Sequence, residues 1–186
     1  MKKIKTIFER DWNNTGKILE QYAEGVIPQE LLLCVATEKL DGTNIRVTVR
    51  NHIVVRVEKR RNPDKIQKHK GIIDPWYVDA SESSEDKWIM EAVKNTDFSS
   101  IPDGEWSGEA LGPAIQGNPL KLDKHIVVFF SLGQAPVFED VPVTYQGLKE
   151  WLPKQKSKYG KDCGIEGIVW HALNGQMYKI KCKDFI

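Results

Sequence analysis

Alternating hydrophobic and polar positions dominate the first half of the chain and predict a sheet. An apolar segment at 31–37 comes first. Thr43–Arg50 then alternates apolar and polar residues, and His52–Glu58 continues the pattern after a turn at Asn51. Strict alternation is typical of half-buried strands, and the short connections favour antiparallel pairing. These segments therefore predict an antiparallel meander.

Three segments have helical patterns. Residues 14–24 are predicted to form a helix that ends at Gly25. A Ser-Ser-Glu-Asp sequence followed by an apolar face at helical spacing predicts a second helix over 83–95. A third is expected at Tyr145–Lys158, shortened or kinked by Pro153, because proline removes a helix hydrogen bond.

The remaining apolar segments read as strands. They are Glu105–Leu111, Ile126–Leu132, and residues 164–171 and 176–182, which flank a hairpin turn at Asn174-Gly175. No GxGxxG sequence follows a strand, so a doubly wound dinucleotide fold is not expected. The predicted class is α+β with a largely antiparallel sheet, and one domain is the working hypothesis.

Composition restricts the class of protein. The chain has 186 residues, a net charge of +1, 40% hydrophobic and 28% charged residues, which excludes disorder and membrane spanning. The longest apolar runs are about six residues, so we expect a cytoplasmic protein. Three cysteines without CxxC spacing favour a reducing compartment and argue against a zinc site or a secreted disulfide scaffold.

Charge is segregated along the chain despite the near-neutral total. Residues 52–70 carry seven Lys or Arg against two acids, and residues 149–183 carry eight lysines against three acids. Between them, residues 79–109 carry nine acids against two lysines. These two basic segments can bind a polyanion. The alternative interpretation is a solvated surface with alternating charge.

The most informative sequence is Thr-Glu-Lys-Leu-Asp-Gly-Thr-Asn at 37–44, which places Lys39 between an apolar strand and a glycine turn. A lysine there can lie at the floor of a cleft. To act as a nucleophile it must lose its proton, which costs about 4 kcal/mol at neutral pH unless the environment lowers its pKa. The alternative is a strand-ending lysine beside an ordinary turn.

Four further segments follow the KLDG sequence in a fixed order. They are KRR at 59–61, SGEALGPAIQGNP at 107–119, IEGIVWH at 165–171 and KIKCK at 179–183. In this order the chain resembles the lysine-dependent nucleotidyltransferases, which include ATP-dependent RNA and DNA ligases and mRNA capping enzymes. GEALGPAIQGNP resembles the phage-type RNA-repair ligases, and TEKLDGT and IEGIVWH resemble the stand-alone eukaryotic 5′→3′ RNA ligases. The resemblance spans residues 37–183.

The resemblance implies a domain organisation. It implies a nucleotidyltransferase (ATP-grasp-like ligase adenylation) domain over 37–186, with antiparallel β-sheets flanked by helices. Residues 1–36 are expected to form an N-terminal extension packed on that domain. No sequence for an OB-fold or a C-terminal domain follows Lys183, so a partner protein is expected to supply RNA clamping.

The resemblance assigns roles around the first motif. Lys39 would attack the α-phosphate of ATP and become lysyl-AMP. Glu38 would contact the adenine, Leu40 would lie in the nucleotide site, and Asn44 would lie near the ribose or the phosphates. The alternatives are a strand-end surface acid for Glu38 and a turn residue for Asn44.

The second and third motifs would supply further nucleotide contacts. Arg60 would hold phosphate or ribose oxygens, because its planar fork makes paired hydrogen bonds. Glu109 would bind the ribose hydroxyl or a metal-bound water, with Glu105 as a supporting residue or a plain surface acid. Phe129 would stack on the adenine, with Phe130 as the competing choice.

Cations next to the second motif can bind the RNA backbone. Arg61 is one candidate, together with Lys65, Lys68 and Lys70, although surface solvation explains them equally well. Lys2, Lys3, Lys5 and Arg10 of the N-terminal segment are further candidates for contacts with pyrophosphate or RNA.

The last two motifs would organise the metal and the phosphate. Glu166 would be the carboxylate that holds Mg²⁺, and Val169 would cover the second face of the base. Lys181 and Lys183 would stabilise charge on the α-phosphate from one face of a strand, with Lys179 as the alternative member. His171 is expected to be a strand-end histidine.

The predicted function is therefore an ATP-dependent RNA ligase of RNA repair that joins 5′-phosphate and 3′-OH ends through lysyl-AMP. It would use ATP with Mg²⁺ or Mn²⁺. The alternatives are a capping-type guanylyltransferase, a DNA ligase core, or a non-catalytic module that binds nucleic-acid ends.

Overall fold

The computed structural model describes residues 3–185 and has the expected α+β class with mainly antiparallel sheets. The chain divides into two compact units. The first unit comprises Lys3 and residues 41–134, and the second comprises residues 4–40 and 135–185. Each sheet lies within one unit.

Strands predominate over helices in residues 3–185. In chain order the strands are β1 (Lys5–Thr6), β2 (Phe8–Arg10), β3 (Ile18–Tyr22), β4 (Val35–Glu38), β5 (Thr43–Arg50), β6 (Ile53–Arg61), β7 (Trp76–Asp79), β8 (Gly104–Leu111), β9 (Ile126–Phe129), β10 (Gly167–His171) and β11 (Met177–Lys181). The α-helices are α1 (Pro28–Leu31), α2 (Lys65–His69), α3 (Lys87–Lys94) and α4 (Tyr145–Trp151).

The first unit is built on one five-stranded antiparallel sheet in the order β7-β6-β5-β8-β9. Residues in register share a face, so Ile45, Gly108 and Phe129 form one row on the apolar side. Helix α3 packs against β8 and β9 with its buried residues Ile89 and Val93. The opposite face of this sheet carries the polar positions.

The second unit contains a four-stranded sheet in the order β1-β11-β10-β4 and a separate two-stranded sheet, β2-β3. β10 is antiparallel to both β11 and β4, whereas β1 is parallel to β11. One face carries Ile168, Trp170 and Ile180, which join a core with Leu148 and Leu152 from the α4 region. The other face carries the lysines described below.

Two N-terminal predictions are wrong. The expected helix over 14–24 is instead a turn followed by β3, which pairs with β2. Ile18 and Tyr22 pack in the core cluster on this strand, so tertiary pairing outweighs local helix propensity. The apolar segment 31–37 is also not one strand, because α1 ends at Leu31 and β4 begins at Val35.

The other predicted elements are confirmed with small shifts in their ends. β5 has the expected bounds, β6 extends the expected strand to Arg61, and α3 occupies part of 83–95. α4 stops at Trp151 and a 3₁₀ turn containing Pro153 follows, as the proline rule predicts. β10 and β11 form the expected hairpin around Asn174-Gly175.

The proposed division at residue 37 does not coincide with the boundary of either unit. β1 pairs with β11, and Ile7 and Phe8 belong to the core of the second unit, so the N-terminal segment is built into that unit. None of the helices in residues 3–185 has the length and apolar character needed to cross a bilayer.

Candidate active site

Lys39 lies at the end of β4 and shares one carboxylate with a second lysine. Its backbone N–H donates to the Gly167 carbonyl at 2.9 Å, which holds it alongside β10. Lys39 Nζ lies 2.6 Å from Glu166 Oε2, and Lys181 Nζ lies 2.5 Å from Glu166 Oε1. The Glu166 side chain is only 10% exposed. Two ammonium groups and one carboxylate leave this cluster with a net positive charge, which suits an anionic ligand.

Strand register explains why these residues meet. Lys181 is opposite Gly167, and Lys179 is opposite Val169, which in turn is opposite Thr37. Alternation along β10 and β11 places these positions on the face opposite the core. Val169 is therefore on the same face as Lys39 and Lys181, as its predicted contact with a base requires, although it is itself buried.

Gly167 is needed for the close approach of β10 and β11. A Cβ atom at this position would lie 2.0 Å from the Ile180 carbonyl oxygen. Backbone atoms cannot yield to such an overlap without moving the strand. The glycine after Glu166 is thus part of the geometry that brings Glu166 to Lys181.

The expected pairing of Lys181 with Lys183 on one strand face does not occur. β11 ends at Lys181, and Cys182–Asp184 form a 3₁₀ turn that leaves Lys183 exposed. Asp184 causes this departure, because its carboxylate accepts from the Lys181 backbone N–H at 3.0 Å and from Arg10 at 2.6 Å. Lys179 and Lys181 are the two lysines that share a strand face.

Glu38 lies on the core side of β4 and is 2% exposed. Its carboxylate accepts hydrogen bonds from the Ser157 hydroxyl and, at 2.9 Å, from the Lys158 backbone N–H. Both carboxylate oxygens are therefore engaged by the segment after α4. In this arrangement Glu38 holds that segment in place. Leu40 is also buried.

In the first unit, the predicted residues Asn44, Arg60 and Glu109 lie on the polar face of the five-stranded sheet. Asn44 is in register with Glu109. Ile45 is opposite Lys59, so the antiparallel register continues to place Arg60 beside Asn44. Gly42 allows β5 to approach β8 here, because a Cβ at Gly42 would lie 2.2 Å from the Ala110 carbonyl oxygen.

The choice of Arg60 within Lys59-Arg60-Arg61 fits the structure. Lys59 points to the core side, where it is buried in an ion pair with Asp86. Arg61 is paired with Glu85 at 2.5 Å in an exposed ion pair. Arg60 is half-buried, and its Nε is buried without a hydrogen-bond partner, in contrast to its two neighbours.

Tyr77 belongs to this polar face and was missed by sequence reasoning. Its hydroxyl donates to Asn44 Oδ1 at 2.8 Å, and its backbone is in register with Arg60. The Arg46 guanidinium lies 4.6 Å from the Tyr77 ring centroid and makes two hydrogen bonds to the buried Glu58. The consecutive aromatic and β-branched residues Trp-Tyr-Val of β7 are the signal that could have indicated this strand.

Phe129 is placed on the opposite face from Asn44 and Glu109. It is fully buried, in register with Gly108, and packs edge-on against Phe98. This structure therefore does not give Phe129 a surface on which a base can stack. Phe130, the competing choice, follows the end of β9 and is half-buried.

Four other candidates have partners of their own. Glu105 is exposed and lies 3.7 Å from Arg46. His171 Nε2 lies 2.9 Å from the Thr37 hydroxyl, and burial lowers the pKa of its imidazole. Arg10 is committed to Asp184, and Lys5 donates to the Glu24 carbonyl. Lys2 lies outside the described residues.

The donor set for a metal is small. Within residues 3–185 no group of three or more His, Cys, Asp or Glu side chains could hold a metal ion. Glu166 offers a hard oxygen ligand beside Lys39. Mg²⁺ is commonly bound by one or two carboxylates with substrate phosphates and water, so this site fits a metal that arrives with a phosphate ligand.

Comparison with known proteins gives a family match. Residues 104–185 match the protein-family model described as RNA ligase 1. Over these residues the predicted resemblance to RNA ligases is confirmed. This match includes Glu109, Phe129, Glu166, Val169 and Lys181 of the RNA ligase-like motifs, while Lys39 precedes it. No match is found among curated proteins.

Solved structures support the RNA ligase fold over nearly the whole chain. Naegleria gruberi RNA ligase with PPi is 16% identical, with a TM-score of 0.51 over 97% of this chain. A glutamate-to-alanine variant of that enzyme with ATP and Mn is 16% identical, with a TM-score of 0.50 over 96% of this chain. In both comparisons the chain spans 59% of the Naegleria protein. At this identity the likeness establishes the fold.

Proposed function

We propose that this protein is an ATP-dependent RNA ligase that transfers AMP through Lys39. The observation that carries the proposal is the Lys39–Glu166–Lys181 cluster, in which one carboxylate contacts both ammonium groups at 2.6 and 2.5 Å. The RNA ligase 1 match over 104–185 and the fold likeness to Naegleria RNA ligase support the same conclusion.

In the first step Lys39 Nζ attacks the α-phosphorus of ATP. A nitrogen–phosphorus bond forms, the bond from the α-phosphorus to the bridging oxygen breaks, and pyrophosphate leaves with the electron pair. Glu166 Oε2, at 2.6 Å from Nζ, is positioned to accept the proton that Lys39 gives up. Lys181 neutralises charge that develops on the α-phosphate.

Glu166 is the residue that would hold a divalent metal, as one carboxylate ligand or through bound water. Bound with ATP, Mg²⁺ or Mn²⁺ would neutralise charge on the phosphates. The chain itself holds Glu166 between Lys39 and Lys181. Gly167 contributes by allowing β10 and β11 to approach closely.

The polar face of the first unit is proposed to contribute nucleotide contacts of its own. Arg60 has a buried Nε without a partner, and a ribose or phosphate oxygen would satisfy it. Asn44 and Glu109 adjoin one another across β5 and β8. Asn44 offers an amide N–H, and Glu109 offers a carboxylate to a ribose hydroxyl.

In the remaining steps AMP passes from Lys39 to a 5′-phosphate of RNA, and a 3′-OH then displaces AMP to form the phosphodiester bond. All three are nucleotidyl transfers, so orientation and charge neutralisation supply most of the catalysis. We also propose a cytoplasmic location, which the three free thiols support. A partner protein that clamps RNA stays a prediction.

The test is the intact mass of the protein after incubation with ATP and Mg²⁺ or Mn²⁺. We expect the wild-type chain to gain the mass of one AMP and to lose it when pyrophosphate is added. Lys39→Ala and Lys39→Arg should gain nothing. The arginine variant keeps the charge beside Glu166, so its failure separates the nucleophile from the ion pair. Lys154→Ala, an exposed lysine elsewhere in the second unit, should be labelled normally.

Two other outcomes would favour a different function. Labelling by GTP rather than ATP would indicate a capping-type guanylyltransferase. Absence of an adduct with both nucleotides, after removal of pyrophosphate, would contradict covalent transfer and favour a module that binds nucleic-acid ends. Sealing assays with matched 5′-phosphorylated RNA and DNA then distinguish an RNA ligase from a DNA ligase.

A further inference from the structure

The connection between β6 and β7, residues 62–75, is an ordered segment that the proposed chemistry does not use. It contains α2, whose N-terminus is fixed by a capping box between Asp64 and Gln67. The Gln67 N–H donates to the Asp64 carboxylate at 2.8 Å, and the Asp64 N–H donates to the Gln67 side chain at 2.9 Å. None of the α2 residues is buried. The β6–β7 connection therefore presents a defined shape to solvent.

Its cations lack the partners that the neighbouring cations have. On β6, Arg56 pairs with Asp79, Lys59 with Asp86 and Arg61 with Glu85. Among the described residues, by contrast, Lys65, Lys68 and Lys70 have neither an ion pair nor a side-chain hydrogen bond. Three of the four cations on β6 therefore have ion-pair partners, whereas the three lysines of the connection have none.

Apolar side chains are exposed on the same segment. Ile66 is 66% exposed and Ile73 is 73% exposed, and Ile72 and the adjoining first residue of β7, Trp76, are also accessible. Single exposed apolar residues are ordinary, but four within eleven positions beside three unpaired lysines form a mixed apolar and cationic surface. Such a surface complements a ligand that carries both regularly spaced negative charges and flat apolar faces.

We propose that the β6–β7 connection binds single-stranded RNA. Lys65, Lys68 and Lys70 contact successive phosphates, and the exposed isoleucines and Trp76 contact bases that are free of a duplex. A single strand is favoured over a duplex because only unstacked bases present their faces to apolar side chains. The assignment of this RNA as the ligase substrate rests on the proposed function, whereas the binding itself does not.

Salt dependence of binding gives the sharpest test. The probe is a fluorescein-labelled 20-nucleotide oligouridylate with a 5′-OH, which cannot be joined. Each phosphate contact contributes about 0.7 to the slope of log affinity against log salt concentration for a single strand. The variant with Lys65→Gln, Lys68→Gln and Lys70→Gln should therefore lose about 2 from the slope and bind at least tenfold more weakly at low salt.

A matched control replaces three exposed lysines that lie elsewhere, Lys94→Gln, Lys124→Gln and Lys154→Gln. It removes the same charge and should keep the wild-type slope. The variant with Ile66→Ser and Ile73→Ser should bind more weakly with an unchanged slope, because it keeps the lysines. The substitutions leave the Asp64–Gln67 capping box intact, and circular dichroism verifies that each variant is folded.

Several outcomes would overturn the inference. Equal loss of affinity in the two lysine triple variants would show that net charge, not this connection, binds RNA. Preference for duplex RNA, binding to anionic phospholipid vesicles instead of the oligonucleotide, or salt-sensitive self-association would indicate another ligand for the surface. Normal AMP labelling with no change in RNA binding would reject the inference and leave the proposed function standing. RNA binding that depends on the connection, without AMP labelling, would support the inference and contradict the proposed function.

Discussion

The Tyr77 hydroxyl donates to Asn44 Oδ1 at 2.8 Å and thereby fixes the orientation of the Asn44 amide. The amide nitrogen donates to the Gly108 carbonyl at 3.3 Å, which leaves one N–H of Asn44 for a ligand. Tyr77 therefore determines that Asn44 presents a donor, as an oxygen of ribose or phosphate requires. Its ring is itself held against Arg46.

Replacement of Tyr77 by phenylalanine should weaken the interaction with ATP without unfolding the protein. The ring remains over Arg46, but the Asn44 amide loses the bond that orients it. We expect the KM for ATP in AMP labelling to rise about tenfold, equivalent to ~1.4 kcal/mol, which is typical of one lost hydrogen bond.

A double-mutant cycle with Asn44→Ala separates orientation from general damage. If Tyr77 acts through Asn44, the double variant will resemble Asn44→Ala alone. Additive losses would contradict this relationship. Ser107→Ala, which removes the other hydroxyl near Tyr77 at 3.4 Å, serves as the control and should have little effect.

Replacement of Glu166 by glutamine should abolish most AMP labelling while the protein stays folded. The amide keeps the shape but removes the charge that holds Lys39 and Lys181, and it is a poor proton acceptor. We expect a loss of the labelling rate on the order of 100-fold. Glu105→Gln, an exposed carboxylate paired loosely with Arg46, should change the rate less than twofold. Equal effects of the two variants would contradict the assigned role of Glu166.

The Arg46–Glu58 pair should make stability fall in acid. The hydrogen bonds from Arg46 hold the pKa of the buried Glu58 carboxyl below its ordinary value. A lowered native pKa stabilises the folded state above the unfolded pKa of about 4.3, and this stabilisation is lost as pH falls through the native pKa. Urea unfolding between pH 7 and pH 3 should show the decline, and Glu58→Gln should reduce its steepness and cost about 2 kcal/mol at pH 7.

Glu38 should prove important for stability through its bonds to residues 157–158. Alanine at this position leaves the Lys158 N–H and the Ser157 hydroxyl without their acceptor. We expect the free energy of unfolding to fall by about 2–3 kcal/mol, measured by denaturant titration. Glu38→Gln keeps the volume and one acceptor oxygen, and its loss should be smaller. Full stability of Glu38→Ala would mean that the carboxylate is not engaged as described.

An alanine at Gly167 should disrupt the hairpin that carries Lys181. The added methyl group would overlap the Ile180 carbonyl oxygen at 2.0 Å, and only backbone movement relieves this contact. We expect a loss above about 3 kcal/mol, or failure to accumulate as folded protein. Gly164→Ala is the matched control, since the nearest atom there is 3.7 Å away, and it should be tolerated.

The sequence predicts local elements better than it predicts pairing. Alternation defines β5 and the β10–β11 hairpin because one face of each strand is buried. The segment at 14–24 has no such signal, since β3 forms only by pairing with β2. Two compact units instead of one domain likewise depend on which distant strands pair.

The same limit applies to the candidate site. Motif order is sufficient to select Lys39, Glu166 and Lys181, which the structure brings together. Lys183 leaves the strand because Asp184 bonds back to the chain, a long-range effect through Arg10 that spacing does not reveal. The predicted stacking role of Phe129 fails for a different reason. Motif position does not establish which face of β9 is buried.

The parallel pairing of β1 with β11 protects the lysine-bearing strand from association with other molecules. Lys5 and Thr6 pair with Tyr178 and Lys179, and the Ile7 N–H donates to the Lys179 carbonyl at 3.1 Å. A chain shortened to begin at Thr37 would leave the edge of β11 unpaired, and an open strand edge is a template for aggregation. β1 therefore acts as a protective edge strand, which any shortened version of this chain would have to replace.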